Sequence, residues 1–169
     1  MYWYSSIYVP VLNIPWNDEH RVLVNYKSNM KYKVIVEKMA YHLKREQHYD
    51  FATYTANEDP SDESYSEYEA YIFLENDLNL KEINDPTKSL GIGACCFRKR
   101  IGVNDKYFWS LAWIWMHPYY RHRGTLTKHW EYFTKKYNDF YIEPPYSLEM
   151  EKYIEKIKWE EKLEKYFAN

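Results

Sequence analysis

Cysteine is almost absent: the 169 residues hold 2, Cys95 and Cys96, side by side in an apolar run. Neighbours in a strand point to opposite faces, so the pair offers neither a disulfide framework nor a metal-ligand spacing. It reads as core in a reducing, cytoplasmic setting. Glycine is scarce too, with 4 residues, and neither the G-x-x-x-x-G-K-[ST] loop nor the G-x-G-x-x-G dinucleotide fingerprint occurs. The 6 histidines fall into no C-x-x-C or H-x-x-x-H arrangement, so no metal site is expected. No apolar run approaches the roughly 20 residues of a membrane span. Nor does one sign of charge dominate. Charged residues are 28% of the chain but the formal net charge is −2, which gives no global electrostatic case for nucleic acid or a membrane surface. The segment MYWYSSIYVPVLN lacks a basic region and a small-residue cleavage pattern, so no secretory leader is expected.

What is abundant is aromatic: 20% of the residues, 20 of them Tyr, well above ordinary usage. The length suits one domain, residues 1–169, with a substantial core. Ser6 to Asn13 and His20 to Tyr26 read as extended segments. Lys31 to Gln47 repeats Tyr32, Ile35, Val36, Met39 and Leu43 at helical spacing, with Asn29 as its N-cap. Tyr49 to Thr55 reads as a short strand or extended loop. The stretch from Asn57 to Ser64 has no apolar residue and reads as a solvated loop, or as an acidic rim that attracts a cationic amine. Glu69 to Glu75 and Leu90 to Arg98 follow as two strands joined by the polar connection Asn76 to Ser89.

The stretch from Phe108 to Trp130 organises the rest. The spacing predicts a buried strand over Tyr107 to Met116, broken at Pro118. A compact basic loop, Arg121, His122, Arg123 and Gly124, then opens a helix over Thr125 to Tyr137 that carries Leu126, Trp130 and Phe133. The first amides of a helix lack internal partners and lie at the positive end of its dipole, so this order suits an anion such as pyrophosphate. Arginines beside it would add charge-assisted hydrogen bonds. Asp139 to Ile142 predicts a short strand ending at Pro144-Pro145, and Ser147 opens a charged helix expected to run to about Phe167.

Met116-His117-Pro118-x-Tyr120-Arg121-x-Arg123-Gly124-x-Leu126 resembles the acetyl-CoA signature of the GNAT-type N-acetyltransferase superfamily. That signature reads V-x-P-x-[YW]-R followed by [QR]-x-x-G-x-[GA]. Arg121 fills the Gln/Arg position, Gly124 the first glycine, and Thr127 a position often held by Ser or Thr, while Leu126 replaces the usual Gly or Ala. Gly91 matches a glycine of the family's central hairpin. Ser147, Met150, Ile154, Ile157 and Trp159 loosely resemble the closing pattern, with Lys158 in place of Gly.

The resemblance implies an α/β fold with a mixed, mostly antiparallel sheet, splayed near its centre, and helices on both faces. It also implies acetyl-CoA as cofactor, held by Ile114, Trp115, Met116, Arg121, His122, Arg123, Gly124, Thr125, Leu126 and Thr127, with pantetheine amides on the backbone of Ile114 and Met116. The acceptor would be a primary amine on a protein or small molecule, attacking the thioester directly. Candidates for the chemistry are Tyr153 as the acid for the thiolate, Glu143 as base or substrate anchor, and Ser110 as a residue that orders water. The expected strand carries no carboxylate. A non-catalytic GNAT-like domain that binds CoA or a protein is therefore the alternative. The aromatic-rich surface is compatible with a homodimer.

Overall fold

Leu90 to Phe97 is apolar at every position, the pattern of a strand covered on both faces. In the computed structural model, which describes residues 9–76 and 87–160 except the Asn104 side chain, this stretch is the middle of the sheet. Six strands occur among the described residues: β1 (Val11–Leu12), β2 (Arg21–Val24), β3 (Tyr68–Glu75), β4 (Ser89–Ile101), β5 (Tyr107–Met116) and β6 (Tyr141–Ile142). Three helices join them, α1 (Met30–Gln47) after β2, α2 (Thr125–Tyr137) after β5 and α3 (Leu148–Ile157) after β6. The order across the sheet is β2-β3-β4-β5-β6, and β1 lies on β4 beyond the end of β5, at Leu90 and Ser89. Every described pairing is antiparallel except β5 with β6.

Alternation sorts the side chains between two cores. Ile72, Leu74, Ala94, Cys96, Trp113 and Trp115 pack with Val36, Met39 and Leu43 of α1. Tyr71, Phe73, Cys95, Phe97 and Leu111 pack on the other face with Phe133 and Tyr137 of α2 and Met150 of α3. Adjacent Cys95 and Cys96 thus face opposite ways, both buried, and burial pushes the Cys96 thiol up to about 12. Asn29 caps α1, its side chain accepting from Lys31 N. Ser147 caps α3 by accepting from Met150 N.

The pairing of β4 with β5 jumps from Cys96↔Trp113 to Phe97↔Leu111, so Ala112 is a bulge residue with no opposite partner. A bulge bends its strand and sharpens the local twist. The β6 ladder stops there: Ser110↔Tyr141 and Leu111↔Ile142 are its only pairs, extended by Glu143 N donating to Leu111 O at 3.0 Å. Beyond Ala112, β5 runs on to Met116 without β6.

Several expectations change. The strands part at the edge of the described sheet, between β5 and β6, and not near its centre, because the ladder ends at the bulge and no described strand lies beyond β6. The last helix ends at Ile157, not near Phe167. Lys158 takes a left-handed conformation and turns Trp159 back onto Trp130 and Phe140, with ring centroids 5.2 and 4.8 Å apart. Strand β4 runs on to Ile101, through Lys99 and Arg100, which read as a turn. Tyr49 to Thr55 holds no strand. Ser6 to Tyr8, most of the Asn76 to Ser89 connection, and the chain after Glu160 lie outside the described residues.

Candidate functional site

The parting of the strands leaves one edge of β5 open, and backbone alternation says which groups face it. His117 N donates to Ile92 O at 2.9 Å, on the β4 side. Backbone groups of successive residues point to opposite edges, so those of Met116 and Ile114 face the open side. Past Met116 the chain makes a 3-10 turn at Pro118–Tyr120, capped by buried His117, whose Nδ1 accepts from Tyr119 N at 3.1 Å. His117 is therefore structural. Gly124, at φ 77, enters α2 in the left-handed region, and no side chain caps the helix. A side-chain-bearing residue would be strained there. The first-turn amides of Thr125, Leu126 and Thr127 have no acceptor within the helix.

These features converge on a cleft of about 380 Å³ between β5, the start of α2, the first turns of α3 and the end of α1. Every residue expected to hold the cofactor lines it except Arg123. The Arg123 guanidinium instead lies over the Tyr119 ring, 4.3 Å from its centroid. Lys152, Tyr153 and Lys156 line the cleft from α3. Tyr153 packs edge-on against Trp130 at 5.2 Å. Its hydroxyl is buried near Thr127 without a well-formed hydrogen bond, and burial holds its pKa above the ordinary tyrosine value.

Arg121 lines the cleft but is not free to grip an anion as the sequence suggested. Its Nε donates to Met116 O at 2.9 Å and its Nη2 to Glu46 Oε2 at 2.7 Å. The same Glu46 oxygen accepts from Trp115 Nε1 at 3.1 Å. The guanidinium thus fastens the end of β5 to the end of α1. Sequence reasoning passed over Glu46, although a signal existed: it extends the stripe of Val36, Met39 and Leu43 at helical spacing, where a carboxylate facing the core needs a partner.

The three candidates for the chemistry do not come together. Ser110 is fully buried and donates to Glu143 Oε1 or Arg98 O, so it does not reach the cleft. Glu143 is held at both oxygens by Arg100, Nε to Oε1 at 2.6 Å and Nη2 to Oε2 at 3.0 Å. With both carboxylate oxygens engaged, Glu143 is a poor proton acceptor. It faces a second, polar cavity of about 550 Å³, which shares walls with a passage of about 110 Å³. The passage in turn shares Leu43, Ile114, Ser147 and Met150 with the cleft. The acidic loop forms the outer wall of the polar cavity. Glu58 within it is not solvated: it grips Arg98 with both oxygens, at 2.5 and 2.8 Å, while Arg98 also donates to Thr53 O and Ser66 O.

Among the described residues no group of three His, Cys, Asp or Glu side chains is placed to hold a metal ion, and no helix is long and apolar enough to cross a membrane. The chain matches no protein-family model and no curated protein.

Proposed function

We propose that this chain is an acetyl-CoA-dependent N-acetyltransferase of GNAT type, acting on a primary amine. The observation that carries the reading is the cleft itself. An uncapped helix N-terminus opened by left-handed Gly124, the open edge of β5, and a buried hydroxyl without a partner, Tyr153, share one wall-to-wall space. The mixed sheet, the bulge at Ala112 and the parting of β5 from β6 support the likeness in fold.

When bound, the coenzyme supplies an activated acetyl thioester. The protein's part is orientation and charge. The α2 amides and dipole favour the pyrophosphate, with Lys152 and Lys156 adding positive charge from α3. The backbone of Ile114 and the Met116 amide offer ladder hydrogen bonds along the pantetheine arm, the Met116 carbonyl being taken by Arg121. Tyr153, kept protonated by burial, is the residue suited to donate a proton to sulfur. Glu143 and Ser110 act as positioning residues that lock the bulge through Arg100.

Calorimetric titration with acetyl-CoA tests the reading. Micromolar binding, lost in Gly124→Asp, is the expected result. That variant sets a carboxylate and a strained backbone at the helix entrance. Absence of binding by the intact protein would overturn the cofactor assignment.

One observation favours a second reading, a non-catalytic CoA-binding domain: both Glu143 oxygens are occupied and the expected strand offers no other carboxylate. Free thiol release from acetyl-CoA with a mixed set of amines separates the two. Binding without release on any amine favours the second.

A further inference from the structure

The polar cavity on the far side of the Ala112 bulge carries buried groups that the fold itself leaves unused. On its wall, Trp113 Nε1, Thr53 Oγ1 and Tyr65 Oη are buried and have no hydrogen-bond partner. Trp113 is only 5% exposed, and its indole N–H is a donor alone, so the group that satisfies it must be an acceptor. A buried donor without a partner costs more than a made hydrogen bond gains, which makes three on one wall an expensive arrangement for packing alone.

The charges around the cavity select the sign of the guest. Arg98 and Arg100 would suit an anion, but their guanidinium forks are filled by Glu58 and Glu143. Asp59 and Asp62 remain. Each is solvated and accepts from the backbone and hydroxyl of a serine two residues on, Ser61 and Ser64, and those bonds hold their carboxyls below the ordinary aspartate value. Neither has a basic partner in those turns. The rim is therefore anionic and the wall offers a donor and two hydroxyls.

We propose that this cavity binds a cationic amine that also carries a hydrogen-bonding oxygen, of the amino alcohol or amino sugar class. The ammonium is drawn to Asp59 and Asp62, and the oxygen accepts from Trp113 Nε1 with Thr53 and Tyr65 beside it. That such a ligand is the acetyl acceptor, reaching the cleft through the passage past Ala112 and Ile114, rests on the transferase reading. Its binding does not.

The test is a calorimetric series on the full chain without acetyl-CoA, comparing ethanolamine, glucosamine and kanamycin with putrescine and glucose. The oxygen-bearing amines are expected to bind more tightly than both controls. Trp113→Phe keeps the ring and removes the donor, and Thr53→Val removes a hydroxyl. Each is expected to weaken the oxygen-bearing amines about three- to tenfold, the range of one hydrogen bond, and to leave putrescine unchanged. Asp59→Asn with Asp62→Asn is expected to weaken every amine and flatten the dependence on salt. Thr53→Val carries the test if Trp113→Phe fails to fold. The proposal is overturned if the oxygen-bearing amines bind no better than putrescine and glucose. It is equally overturned if Trp113→Phe and Thr53→Val, both folded, bind them as the parent does, since the orphan groups then serve water alone. Amine binding without acetyl-CoA binding would instead refute the transferase and leave the cavity's assignment standing.

Discussion

Arg121 and Glu46 fasten the end of β5 to the end of α1 through a pair whose side chains are 18% and 16% exposed. Removing one partner leaves the other charge half-buried, so Arg121→Ala is expected to lose about 2 kcal/mol, less than the ~3–5 kcal/mol of a fully buried pair. Urea unfolding checks this, and Arg121→Ala combined with Glu46→Gln is expected to recover part of the loss, because no stranded carboxylate remains. Tyr153 behaves in the opposite way. Its hydroxyl is buried without a well-formed bond, so Tyr153→Phe is expected to melt at the same temperature or higher. On the proposed reading it keeps acetyl-CoA affinity and loses turnover by about 100-fold, the lower end of general acid–base contributions. An equal loss of affinity would make Tyr153 a binding residue only. At this scale the sequence made the residues of the loop legible but not their partners. A basic side chain after a strand announces charge, whereas the carboxylate that neutralises Arg121 sits on a helix far earlier in the chain, and only the fold joins them.

Among the elements, β5 and α2 keep the boundaries their patterns predict, Tyr107–Met116 and Thr125–Tyr137. The reason is physical: a proline, a left-handed glycine and a change of period from 2 to 3.6 all fall between them. The end of α3 had no such mark, because the run of alternating charge after Ile157 continues a helical pattern while Lys158 leaves it. The importance of Gly93 was equally hidden. It pairs with Met116, and a Cβ there would meet Trp115 O at 2.6 Å, Met116 Sδ at 2.8 Å and Met116 Cα at 3.0 Å. Gly91, the glycine that matches the family's hairpin, would meet only side-chain atoms, the nearest at 3.2 Å. Gly93→Ala is therefore expected to cost about 2–3 kcal/mol by forcing β4 and β5 apart at the cleft, and Gly91→Ala less than half of that. Thermal melting of the two variants ranks them, and equal shifts would mean that the backbone of β5 yields without cost.

For the whole molecule, two cores on opposite sides of a mixed sheet were legible from the alternation of the strands and the stripe of α1. The pairing of β1 with β4 and of β2 with β3 was not, because such short segments fix no register. The same folding together buries His129, which reads in sequence as one more polar residue of α2. It is 1% exposed, stacks on Phe73 at 4.9 Å, and faces Arg21 through Nδ1 at 3.4 Å. Burial first, then the charges of Arg21, Lys128 and His20, lower its pKa from 6.5 to about 4. His20 and His42 are lowered in the same direction, each chiefly by burial. A histidine whose folded pKa is depressed stays neutral in the fold and charges first in the unfolded chain. Its contribution is whole above the unfolded pKa near 6.5 and is lost as pH falls toward 4. For His129 alone the loss across that window is on the order of 3 kcal/mol. Stability measured by urea unfolding is therefore expected to fall steadily from pH 7 to pH 4. His129→Phe, which keeps a flat ring on Phe73 and removes the titration, is expected to flatten that fall. A parallel curve for the variant would show that His129 stays neutral in both states and that other groups set the acid limit of the fold.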